Sequence, residues 1–263
     1  MCELFGLSSN KNVNVSFTWR GFLSRGNLHR DGWGVAWYSN NILDLVKEPK
    51  PATQSPIAKL LINGIRGNII ISHVRTATKG IPCYVNTHPF VRKIGDQEWV
   101  FAHNGDVSSI IEEQKFKLNN FLPLGDTDSE YAFCYIMERI QGLNNDIFKV
   151  SENIKKLADE IGNYGKFNFL LSNGKYFFAY TNRRDTLYYL IRHPPHKKVT
   201  RLVDEDFEVR LEEIKAPDEF VIIIATKPLT DEEWNPLYIN NLYVFTNGKL
   251  MMKINNSHES QVD

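Results

Sequence analysis

Cysteine is scarce in this sequence: three residues, Cys2, Cys83 and Cys134, among 263. Three is an odd number and too few for a disulfide framework in a chain of this size, so a reducing cytoplasm is expected. Net charge is also lacking, since 31 Lys plus Arg balance 31 Asp plus Glu. No basic excess draws the chain to a phosphate backbone, and a nucleic-acid partner is not expected. No apolar run approaches the ~18–20 residues of a membrane span. The longest, Phe220 to Ala225, reads as a buried strand. The start lacks the basic-then-apolar pattern of a signal peptide. Repeats, low-complexity segments and Pro/Gly/Ser linkers are missing too. One domain over 1–263 is therefore expected, with a polar, frayed tail at 255–263.

What is present suits a large packed core: 42% apolar residues, with 16 Phe, 11 Tyr and 5 Trp. Strands are expected at 2–8, 33–38, 68–74 and 99–103. The third, Ile69-Ile70-Ile71-Ser72-His73-Val74, is nearly continuous and should be buried on both faces. Lys79 to Asp96 carries Gly, Pro and polar residues and reads as a long functional loop. Asn104-Gly105 suggests a sharp turn after the fourth strand. Thr127-Asp128-Ser129-Glu130 has the form of a capping box. Ala132, Phe133, Ile136, Met137 and Ile140 then follow at helical spacing. A second stripe, Ile147, Val150, Ile154, Leu157 and Ile161, stops at Gly162 and Gly165. Strands return at 167–172, 175–180, 187–192, 207–212, 220–226, 242–246 and 249–254. Ser172-Asn173-Gly174-Lys175 and Thr246-Asn247-Gly248-Lys249 look like hairpin turns. Strands, a helical pair, then more strands imply an α+β layered fold.

The most informative residue is Cys2. Methionine aminopeptidases remove Met1 when a small side chain follows, and Cys is small enough. The mature chain then begins with a thiol and a free α-amine on one residue. These titrate near ~8.5 and ~8, so a nucleophile and its base sit together. Four further signals carry chemistry. Arg75 follows a buried strand, Asn86-Thr87-His88-Pro89 lies on the loop, His103-Asn104-Gly105 ends a strand, and Asp128 opens a helix. Each has an ordinary explanation: a solvated Arg, a loop His, a turn, and an acid favoured by the helix dipole. Together they form a coherent site for amide cleavage. The Asn104 side-chain amide and the Gly105 backbone N–H supply an oxyanion hole. Arg75 clamps a carboxylate, and Asp128 takes an ammonium.

This ordered set, with Arg75-Thr76-Ala77-Thr78 and Thr127-Asp128-Ser129-Glu130, resembles a class II glutamine amidotransferase domain of the Ntn-hydrolase type. Met1-Cys2-Glu3-Leu4, His29-Arg30-Asp31-Gly32-Trp33-Gly34 and Asn86 to Phe90 are most similar to its stand-alone, YafJ-type branch. The resemblance covers about residues 2–225. It implies a four-layer αββα sandwich of two mainly antiparallel sheets, and hydrolysis of glutamine to glutamate and ammonia. It makes Cys2 the nucleophile and Asn104 with Gly105 the oxyanion hole. Arg75 with Thr78 would hold the α-carboxylate, Asp128 the α-ammonium, and His88 would support the site wall. The sequence departs from the pattern in two places. Synthase-linked members read Arg-Trp-Ala-Thr-His-Gly, where this chain has Thr76 and Lys79. They often start Cys-Gly-Ile, where this chain has Cys2-Glu3-Leu4.

Both departures touch the glutamine pocket, so γ-glutamyl peptides and other γ-glutamyl amides stand beside glutamine as substrates. Another class of reading is a non-catalytic regulatory or scaffolding subunit that retains the site. No acceptor-transforming block is seen in these residues, so productive use of ammonia calls for an ammonia-accepting protein partner. Leu23 to Arg30 with Trp33 reads either as a lid or, for Trp33 and Trp37, as packed core. His73, His88 and His103 lack the short spacing of metal ligands. No metal, cofactor or membrane contact is expected. Cys83 reads as a loop thiol and Cys134 as a small buried apolar residue.

Overall fold

The computed structural model describes residues 2–77, 80–143 and 146–255. Apart from Asn255, the tail expected to fray lies outside them. The strands of the first half are β1 (Glu3–Asn14), β2 (Gly32–Ser39), β3 (Ile42–Glu48), β4 (Arg66–Arg75), β5 (Phe90–Ile94) and β6 (Gln97–Asp106). Those of the second half are β7 (Lys166–Ser172), β8 (Phe177–Thr181), β9 (Tyr188–Arg192), β10 (Val199–Arg201), β11 (Glu208–Arg210), β12 (Val221–Ala225), β13 (Asn235–Pro236), β14 (Asn241–Thr246) and β15 (Lys249–Ile254). The helices are α1 (Ser16–Ser24), α2 (Pro56–Leu61), α3 (Ser109–Glu112), α4 (Asp128–Ile140), α5 (Ile147–Gly162) and α6 (Leu211–Ile214).

Two antiparallel sheets result. One runs β13-β9-β12-β1-β4-β2-β3 and the other β15-β14-β8-β7-β6-β5. A short β10-β11 pair stands apart. Strand alternation sorts the side chains into three apolar layers. Phe5 and Leu7 of β1, with Ile70 and Val74 of β4, pack against Trp19, Phe22 and Leu23 of α1 and Ala58 of α2. Leu4, Ile69 and Ile71, on the opposite faces of the same strands, meet Val100 and Ala102 of β6 and Leu170 of β7 between the sheets. Phe101, Phe167, Phe169 and Leu171 turn away, toward Phe133, Ile136 and Met137 of α4 and Ile154 and Leu157 of α5. The order helix, sheet, sheet, helix is the four-layer αββα sandwich that the resemblance implied.

β4 is buried on both faces through its second half, as its unbroken apolar run required. Both hairpin turns form, with positive φ at Gly174, Asn247 and Gly248. Several expectations fail for identifiable reasons. The stretch 79–96 is not one loop, because Phe90–Ile94 pairs with β6 as an edge strand. The expected strand at 207–212 divides into β11 and the single-turn α6. The capping box at α4 is only half formed. Thr127 Oγ1 accepts from the Glu130 N–H at 3.2 Å. The Glu130 carboxylate instead pairs with Arg92 at 2.6 Å and accepts from the Gly125 N–H at 2.7 Å. Trp33 is a fully buried core residue beside Trp19, with ring centroids 6.4 Å apart. Cys134 is fully buried, and burial pushes its thiol up to about 11.

Candidate active site

Four strands of two sheets end at one edge of the sandwich. β1 begins there at Glu3, opposite Val74 near the end of β4. β6 ends there at Asp106, opposite Lys166 at the start of β7. Parity then decides which side chains enter the space between the sheets. Cys2 shares a face with Leu4, Arg75 and His73 with Ile71, Asn104 with Ala102, and Lys166 and Asn168 with Leu170. Sequence positions far apart thus supply one polar cluster at the mouth of an otherwise apolar layer.

Asn104 and Gly105 do not form a turn. Both lie inside β6, paired with Asn168 and Phe167. Gly105 is required by a close approach: a Cβ there would lie 1.8 Å from the Lys166 carbonyl oxygen. Asn168 Nδ2 donates to the Asn104 carbonyl at 3.0 Å, and Asn168 Oδ1 accepts from Thr181 Oγ1 at 2.5 Å. The Asn104 side-chain Nδ2 is buried and donates to none of the described residues. A buried donor without an acceptor is destabilising by about 1–3 kcal/mol and is rare in folded proteins.

Cys2 is half-buried. Its Sγ lies 3.3 Å from both the Thr76 carbonyl, to which the thiol donates, and the Thr76 N–H, from which it accepts. Burial pushes the thiol up, while the Thr76 N–H and the Arg75 guanidinium act the other way. Arg75 is buried and donates to the Gly80 carbonyl at 3.1 Å. Asp128 uses one carboxylate oxygen for the Val107 N–H at 2.7 Å and the other for the Ser129 N–H at 2.9 Å. It thereby joins the first turn of α4 to the chain just beyond β6.

His88 is fully buried behind this cluster. Its ring lies 4.2 Å from that of His73 and 4.4 Å from that of Phe90. Burial and the adjoining His73 hold it well below the usual imidazole range, and burial does the same for His73. β2 accommodates this loop through Gly34, where a Cβ would meet the His88 carbonyl at 2.2 Å. Thr78 lies outside the described residues. Among the described residues no group of His, Cys, Asp or Glu is arranged to hold a metal ion. No helix among them is long and apolar enough to cross a membrane.

Sequence reasoning missed Lys166, Asn168, His29 and Asp31 as site neighbours. Lys166 is half-buried, and burial lowers its ammonium while the nearby Cys2 sulfur opposes that shift. His29 Nδ1 hydrogen-bonds Thr76 Oγ1 at 2.8 Å, and Asp31 accepts from the Ala77 N–H at 2.7 Å. Residues 29–31 therefore brace the end of β4 beside the candidate site. The motif His29-Arg30-Asp31 marked the segment, but only the three-dimensional pairing gives its targets.

Comparison with known proteins gives the family. The family model of the class-II glutamine amidotransferases matches residues 1–263. The chain is 40% identical over 257 residues to the uncharacterized protein MJ1515 of Methanocaldococcus jannaschii, covering 95% of this chain and 71% of that protein. It is 35% identical over 258 residues to YafJ of Escherichia coli K12, covering 95% and 99% of the two chains. The crystal structure of a predicted glutamine amidotransferase from Pseudomonas aeruginosa superposes with a TM-score of 0.71 at 27% identity, over 95% of this chain and 99% of that one. The chain belongs to the class-II glutamine amidotransferases, an enzyme family of the Ntn-hydrolase type.

Proposed function

We propose that this protein hydrolyses the side-chain amide of glutamine, after removal of Met1, by nucleophilic attack of Cys2. The observation that carries the reading is the unused Asn104 Nδ2, a buried donor on the same inter-sheet face and edge as Cys2. A donor with no acceptor among the described residues is available to a charge that arises only during reaction. The Cys2 sulfur forms a bond to the amide carbon, and its proton passes to the free α-amine. The developing oxyanion is held by Asn104 Nδ2 and the Gly105 N–H. The amine proton then goes to the departing nitrogen, the C–N bond breaks, and ammonia leaves. Water cleaves the resulting thioester, releasing glutamate and restoring the thiol. Arg75, with Thr78, binds the α-carboxylate in a charge-assisted fork. Asp128 binds the α-ammonium, and His88 backs the wall through His73. A free Cys2 thiol suits a reducing cytoplasm, and ammonia released there is open to an accepting partner protein.

A second reading, hydrolysis of γ-glutamyl peptides, is favoured by Lys166. Its half-buried cation stands on the inter-sheet face near Cys2 and suits a carboxylate on the leaving amine. The test is glutamate release from glutamine and from a panel of γ-glutamyl amides, once mass spectrometry confirms loss of Met1. The expected result is an active wild type and a folded Cys2→Ala variant reduced by at least about 10³-fold. An active Cys2→Ala protein would sink the mechanism. An inactive wild type with a free Cys2 amine would favour a non-catalytic subunit.

A further inference from the structure

The residue after the nucleophile belongs to a second network that faces away from the inter-sheet space. Glu3 is buried on the α1 side of β1, the face of Phe5 and Leu7. Its carboxylate lies 3.1 Å from Arg25 Nη1, 3.3 Å from Lys227 Nζ and 3.6 Å from His29 Nε2. Burial alone would raise its pKa, yet contacts with His29 and Arg25 hold it down to about 2. The other nitrogen of His29 reaches Thr76 Oγ1 at 2.8 Å. Thr76 in turn grips the Cys2 sulfur through both its N–H and its carbonyl. Two residues on, Asp31 accepts from the Ala77 N–H at 2.7 Å, and its own N–H donates to the Arg75 carbonyl at 3.0 Å.

Three consecutive residues, 75–77, are therefore fixed by a segment only three residues long. Of these, Arg75 carries the guanidinium and Thr76 touches the sulfur. We infer that His29, packed beside Glu3, is a positioning residue that sets the Thr76 backbone against the Cys2 sulfur. This inference rests on Cys2 being the nucleophile. The Thr76 hydroxyl is the group that His29 holds. A Thr76 N–H aimed at sulfur favours the thiolate over the thiol. Removing the His29 contact frees the Thr76 side chain, the N–H loses its aim, and the thiolate is less favoured.

The experiment reads the sulfur without any substrate. Full-length protein with Met1 removed is alkylated with iodoacetamide across pH, and the Cys2 and Cys83 peptides are followed separately by mass spectrometry. The charged groups bearing on the sulfur, its own α-amine, Arg75 and Lys166, are unchanged throughout. In His29→Ala the midpoint of the Cys2 profile should rise by roughly half to one pH unit, about a three- to tenfold loss of thiolate at pH 7, with Cys83 unaffected. His29→Asn keeps a hydrogen-bonding group near the Nδ1 position and should restore most of the loss. Thr76→Val removes the hydroxyl from the other side and should reproduce the His29→Ala shift, which keeps the test valid if His29→Ala fails to fold. A wild-type Cys2 profile in both His29→Ala and Thr76→Val overturns the inference, as does an Asn variant as impaired as the Ala one. Failure of the wild type to hydrolyse any γ-glutamyl amide would overturn the proposed function and leave this readout standing.

Discussion

The layer between the two sheets is apolar at one end and polar at the other. Away from the site it is filled by Phe177, Tyr243, Phe245, Ile222 and Leu237. At the site edge the same layer holds Arg75, His73, Asn104 and Asn168, all buried. Even among these polar residues two kinds are distinguishable. Asn168 is hydrogen-bonded to Asn104, Thr181 and Thr186, whereas the Nδ2 of its cross-strand neighbour Asn104 donates to none of the described residues. The first amide serves the fold, and the second is the one proposed to meet the oxyanion. A packed interior normally avoids an unpaired donor, and under the proposed function this one trades stability for chemistry.

The apolar end should break first when truncated. Phe177→Ala removes a fully buried ring that closes over Gly6 and should cost about 3–5 kcal/mol of stability, with KM unchanged in the remaining folded protein. Chemical denaturation combined with steady-state kinetics checks both parts. The polar end should respond the other way. Asn104→Ala should lower kcat by about 10²–10³-fold while leaving the unfolding midpoint unchanged or raised, since an unpaired donor is lost. Asn168→Ala is its control, and should destabilise by roughly 1–3 kcal/mol because it removes hydrogen bonds to the Asn104 carbonyl and to the hydroxyls of Thr181 and Thr186.

The smallest effect concerns protons. His73 and His88 are held well below the usual imidazole range by burial. The unfolded chain therefore binds protons there that the folded chain refuses. Stability contributed by each is complete above pH ~6.5 and declines as pH falls, by at most about 1.4 kcal/mol per pH unit per residue. Melting temperature should drop between pH 7 and 5, and His88→Gln should flatten that slope. An unchanged slope would mean that other groups dominate acid sensitivity.

The chemistry was more legible in the sequence than its supports. Cys2, Arg75, Asn104 and Gly105 sit at or near strand ends, where residue type and order announce a role. His29 and Asp31 act on residues more than forty positions away, and Asn168 acts through strand register, so local pattern gave no partner for them. Among elements, α1 escaped because it has no side-chain N-cap and no acid in its first turn. The β5 strand escaped because Gly, Pro and polar residues just before it dominated the reading. Asn104-Gly105 was misread as a turn because the close approach of Lys166 demands the same residue that a turn would.

Because Cys2 and Arg75 belong to one sheet and Asn104 and Gly105 to the other, the site is a gauge of how the sheets are stacked. A shear of about 1 Å between them would leave every backbone ladder intact, yet displacement on that scale can reduce turnover about a hundredfold. Loss of activity should therefore precede any change in far-ultraviolet circular dichroism. In this molecule catalysis is the more sensitive reporter of tertiary fit.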